Sequence, residues 1–378
     1  MIETSIDRHR ILIVGGSGGV GKTSVSAALG LSAAREGHRT LVLTVDPARR
    51  LAAALGLEGI GPEAEDVTPR LKAAGIPVSG ELHAMMLDVR NTLDRAVERH
   101  APNAQRRDQI LNNRLYRNIA GRLSGSQEYA AMQQLQEIAS RAEFDRIVLD
   151  TPPTTQAMDF LTAPERLQAF FDSNLIRIFL NFSGRAGRGF FRVTDVLFRT
   201  LERLTGAEVI REITEFFEVA ESILKPFSAQ AARARRLLRE QQTAFVIVTG
   251  ANPHQLEEAS EFAGALDVMG IRVSNVVVNR WLPALEETAP ELPQSGEGDD
   301  LAERVRYWHA ALERLAHRQT EAIEALEAQG GADVVRVPEM PAAVHSIGGL
   351  CGLSDRLRTT TSPSSTEALR PDHHSWTS

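Results

Sequence analysis

A single cysteine, Cys351, stands in the 378 residues of this chain. That excludes a disulfide framework, and it excludes an iron–sulfur or multi-cysteine metal site built within one chain. Nothing approaches an uninterrupted apolar run of membrane-spanning length. The first ten residues carry charges of both signs and lead into an apolar run, which is not the pattern of a signal peptide. A formal net charge of −7 argues against a surface that coats nucleic acid, although local basic clusters occur. No internal repeat is present. These absences leave a soluble, cytoplasmic protein with no nucleic-acid partner as the expectation, long enough for one elaborated α/β domain or two domains.

What is present centres on Gly15–Gly16–Ser17–Gly18–Gly19–Val20–Gly21–Lys22–Thr23–Ser24. The apolar run Ile11–Leu12–Ile13–Val14 precedes it and an Ala- and Leu-rich segment follows, so the context is buried strand, glycine turn, helix. Counted from Gly16 the spacing is G-x-x-x-x-G-K-T, the P-loop pattern. A triphosphate must be wrapped by backbone N–H groups, and glycines let the chain turn tightly with no Cβ in the way. The helix that follows points its positive end at the phosphates. Lys22 can neutralise β- and γ-phosphate oxygens, and the Thr23 hydroxyl can hold Mg²⁺. The expected site is therefore a nucleotide phosphate site formed by Gly16, Gly18, Gly19, Val20, Gly21, Lys22, Thr23 and Ser24.

Further apolar runs alternate with helical patterns. Strands are expected at 40–45, 82–87, 146–150, 244–249, 273–278 and 334–337, and loop over 56–80. Helical patterns cover 89–143, where Leu111, Leu115 and Ile119 share one face at four-residue spacing, and later 253–269, 301–328 and 343–357. Alternation of this kind predicts a mostly parallel, doubly wound sheet covered on both faces. It is interrupted between 160 and 240, which has no strand pattern and holds eleven of the 14 phenylalanines. The expected organisation is a core over 10–160, with helical elaboration at about 89–143. An inserted α-helical, Phe-rich subdomain over 161–240, a second core part over 241–357 and a disordered tail over 358–378 complete it.

Asp46 and Asp150 each end an apolar strand, on the edge where doubly wound sheets bind ligands. An aspartate there can orient an attacking water or hold Mg²⁺ through a water; an Asp that precedes Pro is also a good helix N-cap. Asn279 ends another strand and could read an adenine edge or simply serve a turn. The ten histidines form no metal-ligand cluster by spacing. Cys351 is expected to pack as a small hydrophobe.

Taken together, the glycine run, Thr44–Val45–Asp46–Pro47–Ala48, Asp150–Thr151–Pro152–Pro153–Thr154, Asn279 and Val337–Pro338–Glu339–Met340–Pro341 resemble the ATPases of the arsenite-pump and tail-anchored-protein-targeting family. The resemblance runs from about residue 10 to 357. It implies a dimer clamped around ATP and Mg²⁺, with Thr23 as magnesium ligand and Asp46 positioning the attacking water. It implies further that Asp150 senses the γ-phosphate, that Asn279 and the loop at Pro338 hold adenine, and that the Phe-rich region is the family's helical subdomain. In targeting members that subdomain forms an apolar groove for a client's membrane segment; the alternative expectation for this chain is an energy-coupling or regulatory subunit that docks on a membrane transporter, without a groove.

Three departures follow from the same comparison. Where the family carries a lysine that reaches across the dimer, this chain has Ser17. Arg49 or Arg50 could substitute in a homodimer, or the chain could form a heterodimer with a lysine-bearing paralogue. The cysteines that bind arsenite in pump members are absent, and metalloids of that kind need soft thiolates. The paired zinc cysteines of eukaryotic targeting members are absent too.

Overall fold

The computed structural model describes residues 2–45, 50–119, 126–151, 232–233, 235–284, 299–340, 344 and 346–358. The Phe-rich stretch, Asp46 and the tail beyond 358 lie outside the described residues.

Strand β1 (Ile11–Gly15) is buried along its whole length, as the uninterrupted apolar run requires of a strand covered on both faces. It pairs in parallel with β5 (Arg146–Asp150) on one side and β6 (Thr243–Gly250) on the other. Outward from β5 come β2 (Arg39–Thr44) and β4 (Glu81–Met86), and outward from β6 come β7 (Val273–Trp281) and β8 (Asp333–Pro338). A two-residue strand, β3 (Glu65–Asp66), pairs antiparallel with β4 and completes an eight-stranded sheet of order β3-β4-β2-β5-β1-β6-β7-β8.

Alternate residues of each strand feed two separate cores. Leu12 and Val14 face α1 (Ile2–Arg8), α2 (Lys22–Arg35), α3 (Arg50–Ala54) and α11 (Ile347–Arg358). Ile11 and Ile13 face α8 (Ser126–Arg141), α9 (Pro253–Val268) and the C-terminal part of α10 (Asp299–Gln329). The doubly wound α/β expectation holds. Cys351 packs partly buried against the first core, and burial together with Asp355 raises its thiol pKa. No helix among the described residues is long and apolar enough to cross a membrane.

Three details differ from the sequence expectation. Residues before β1 form α1, whose Ile2 and Ile6 lie one helical turn apart and are fully buried. The expected loop over 56–80 contains β3 and α4 (Thr68–Ala73), seated by buried Val67 and Leu71. Finally, the four-residue spacing of Leu111, Leu115 and Ile119 spans a break. Asn113 is extended between α6 (Ala104–Asn112) and α7 (Arg114–Ile119), and its side-chain oxygen accepts from Tyr116 N at 3.1 Å. These helices and α5 (Val89–His100) enclose a small core of their own around Val97 and Ile110.

Candidate nucleotide-binding site

The carboxyl ends of β1, β2, β5, β6 and β7 meet at one edge of the sheet, and the glycine turn between β1 and α2 lies there. Gly16 has φ 143°, and a Cβ on it would overlap the carbonyl of Val248 in β6. Gly21, the N-cap of α2, has φ 98° and ψ 22° in the left-handed region; a Cβ there would strike Asn279 Nδ2. Glycine is therefore required at both ends of the turn. The N-terminus of α2 carries no side-chain cap and no acid in its first turn, so its positive end stays uncompensated by any side chain of its own helix.

Lys22 is buried, at 6% exposure. Its Nζ donates to the carbonyls of Gly16 at 2.9 Å and Ser17 at 2.8 Å, curling back over the loop. Gly18 and Gly19 are exposed at the tip, Val20 is buried, and Ser24 is half-buried one residue beyond Thr23.

Asp150 is 1% exposed. Its Oδ2 accepts from Thr23 Oγ1 and from Thr44 Oγ1, each at 2.8 Å, and Oδ1 accepts from Ser26 Oγ at 3.4 Å. Sheet register explains the meeting: Asp150 lies beside Thr44 of β2 and Val14 of β1. Next along, Thr151 Oγ1 donates to Val14 O at 2.8 Å and fixes the chain as it leaves β5. Thr44, Ser26 and Thr151 were not singled out as site residues from sequence. Ser26 could have been found, since it sits three residues after Thr23 on one helix face; Thr44 depends on register.

Asn279 donates from Nδ2 to the Val20 carbonyl at 2.8 Å, so its amide supports the phosphate loop rather than its own turn. Pro338 ends β8 opposite Trp281, and the following residue, Glu339, donates from its N–H to Trp281 O at 2.8 Å. Since Asn279 pairs with Val337, Pro338 stands one residue beyond that register position. Asp46 lies outside the described residues; Val45, just before it, donates its N–H to Asp150 O at 3.3 Å. At the opposite edge of the sheet, Asp7, Glu36 and His38 bring ligand atoms within 4.8 Å of one another, a grouping that spacing along the chain did not reveal.

The family model for the anion-transporting ATPases matches residues 9–295. The chain belongs to that family. An uncharacterized protein of Streptomyces coelicolor is 29% identical over 85% of this chain and 76% of its own length. The putative arsenical pump-driving ATPase of Prosthecochloris vibrioformis is 25% identical over 74% of this chain, which spans only 63% of that protein. ATPase GET3C of Arabidopsis thaliana is 27% identical over 75% of this chain and 69% of its own length. This member of the anion-transporting ATPases thus has, beside the uncharacterized one, relatives named as pump-driving and GET3-type ATPases, and the P-loop is the part of its fold that suits that chemistry.

Proposed function

We propose that this anion-transporting ATPase family member binds ATP with Mg²⁺ at the β1–α2 turn, hydrolyses it as a dimer, and couples the cycle to the Phe-rich stretch between β5 and β6. The observation that carries the reading is the convergence of the Thr23 and Thr44 hydroxyls on buried Asp150, beside the one lysine of the loop. The residues suit the cofactor. Two glycines bring main-chain N–H groups to the turn, Lys22 offers a cation, and the Thr23 hydroxyl with the Asp150 carboxylate form a hard oxygen set of the kind Mg²⁺ takes. Mg²⁺ and ATP together supply a γ-phosphoryl group open to attack by water.

In this reading Lys22 neutralises β- and γ-oxygens and Thr23 holds the metal, with Asp150 holding it through a water. Asp46 positions the attacking water. Asn279 and Pro338 border the adenine, Asn279 also supporting the loop. Because Ser17 replaces a lysine, the dimer either draws a cation from Arg49 or Arg50 of a second copy or pairs with a lysine-bearing paralogue. The Phe-rich stretch shelters a hydrophobic protein client. A second reading, the driving subunit of a membrane transporter, is supported by the pump names among its relatives; an arsenite cargo is disfavoured by the lone cysteine.

Hydrolysis of ATP by the full chain, lost in K22A, tests the core of the proposal. A hydrophobic dye that binds equally in ADP and in a non-hydrolysable ATP analogue would overturn the coupled client site.

A further inference from the structure

Ser17 is tied in two directions. Its hydroxyl donates to Glu258 Oε2 at 2.7 Å, while its carbonyl accepts from Lys22 Nζ at 2.8 Å. Glu258 is held on a rigid element: it sits in the second turn of α9, whose N-cap Asn252 accepts from His254 N at 3.0 Å and whose Leu256 and Ala259 are buried against the sheet. The same carboxylate lies 3.9 Å from His254 Nδ1, and its side chain is 47% exposed. An acid is thus anchored to the tip of a loop suited to polyphosphate, beside the exposed Gly18 and Gly19.

We propose that Glu258 is a positioning residue that acts through Ser17, restraining the tip of the phosphate loop and lowering its affinity for nucleotide. The inference rests on the nucleotide-site reading above. Two physical effects combine. A polyphosphate entering the loop must draw Lys22 away from the carbonyls of Gly16 and Ser17, and the Ser17–Glu258 bond stiffens the segment that has to yield. The carboxylate also repels the incoming charge, over a distance that salt can screen because the side chain is half in water. The consequence is faster nucleotide release than the same loop would show without the tether.

The sign of the effect separates this role from a merely structural one, since loss of a structural contact would weaken binding or leave it unchanged. Binding of a fluorescent ATP analogue with Mg²⁺ to the full chain is measured for the parent, E258Q, E258A, S17A, the S17A/E258A pair and K22A, with melting temperatures confirming that each is folded. E258Q and E258A are expected to bind about two- to fivefold more tightly at low salt, the scale of a half-exposed charge interaction. The E258Q gain is expected to fade towards none at about 0.5 M salt. S17A/E258A is expected to bind no more tightly than E258A alone, because both substitutions cut one tether. Equal or weaker binding by folded E258Q and E258A overturns the inference; if K22A has lost binding in the same series, the nucleotide site itself stands. If K22A binds as tightly as the parent, the nucleotide-site reading fails and this inference with it.

Discussion

Asn279 and Val20 lie 259 positions apart in sequence, yet the amide of one donates to the carbonyl of the other at 2.8 Å. The end of β7 thereby props the loop that follows β1 from the far side of β6. A substitution at Asn279 therefore acts on the loop before it acts on any base. N279A removes a buried hydrogen bond and is expected to cost about 1–2 kcal/mol of stability, read as a lower melting temperature. Comparing ATP with inorganic tripolyphosphate separates the two roles. A loop prop alone weakens both ligands equally, whereas an adenine contact weakens ATP more.

Asp150 is buried among hydroxyl donors from three places in the chain. D150N keeps the shape but offers one acceptor oxygen and turns an N–H₂ towards groups that themselves donate. ATP turnover is expected to fall by at least about 10²-fold, the scale for losing one preorganised electrostatic group. Turnover within tenfold of the parent, measured at saturating ATP and Mg²⁺, would remove Asp150 from the reaction.

His9 introduces an acid-sensitive contact. It is 4% exposed, with Nδ1 3.0 Å from the Ser5 carbonyl. Burial, followed by the nearby Arg272, Arg8 and Arg146, holds its pKa below the ordinary 6.5 despite the opposing pull of the Ser5 bond. A histidine with a lowered folded-state pKa is bound by fewer protons when folded than when unfolded. Its contribution is complete above pH 6.5 and is lost as pH falls from there towards the folded value, by at most about 1.4 kcal/mol per pH unit. The melting temperature is expected to drop between pH 7 and pH 5, and H9Q is expected to flatten that drop. His38, lowered chiefly by burial, leaves a residual slope.

Ile6 is 1% exposed and anchors α1 beneath the sheet. I6A is expected to cost about 2–4 kcal/mol through lost burial and the cavity left behind, measured by denaturant unfolding. ATP turnover at a temperature where the variant stays folded is expected to match the parent, because α1 lies at the edge opposite the P-loop.

The parallel strands were legible because a strand covered on both faces must be apolar throughout, as Ile11 to Val14 are. Lys22, Thr23 and Asp150 were legible because their places, just after one strand and at the end of another, put them on the ligand edge of any such sheet. Thr44 was less so: its part depends on β2 lying beside β5, a neighbour relation that local sequence does not encode. The Ser17–Glu258 bond joins residues 241 positions apart and leaves no local trace. Helix α1 escaped notice because seven residues with two buried isoleucines give barely one period of a helical pattern. The run through Leu111, Leu115 and Ile119 misled for the opposite reason, a regular spacing that continues across a cap at Asn113.

The outermost strands carry a last consequence. One flank of the sheet is finished by two acidic, exposed residues, Glu65 and Asp66, running against their neighbour. The other is finished by a strand that bears Arg336 midway and closes on Pro338, which has no N–H to offer. Among the described residues neither flank is a good template for a ninth strand, so stray chains gain little by stacking on these edges into fibrils.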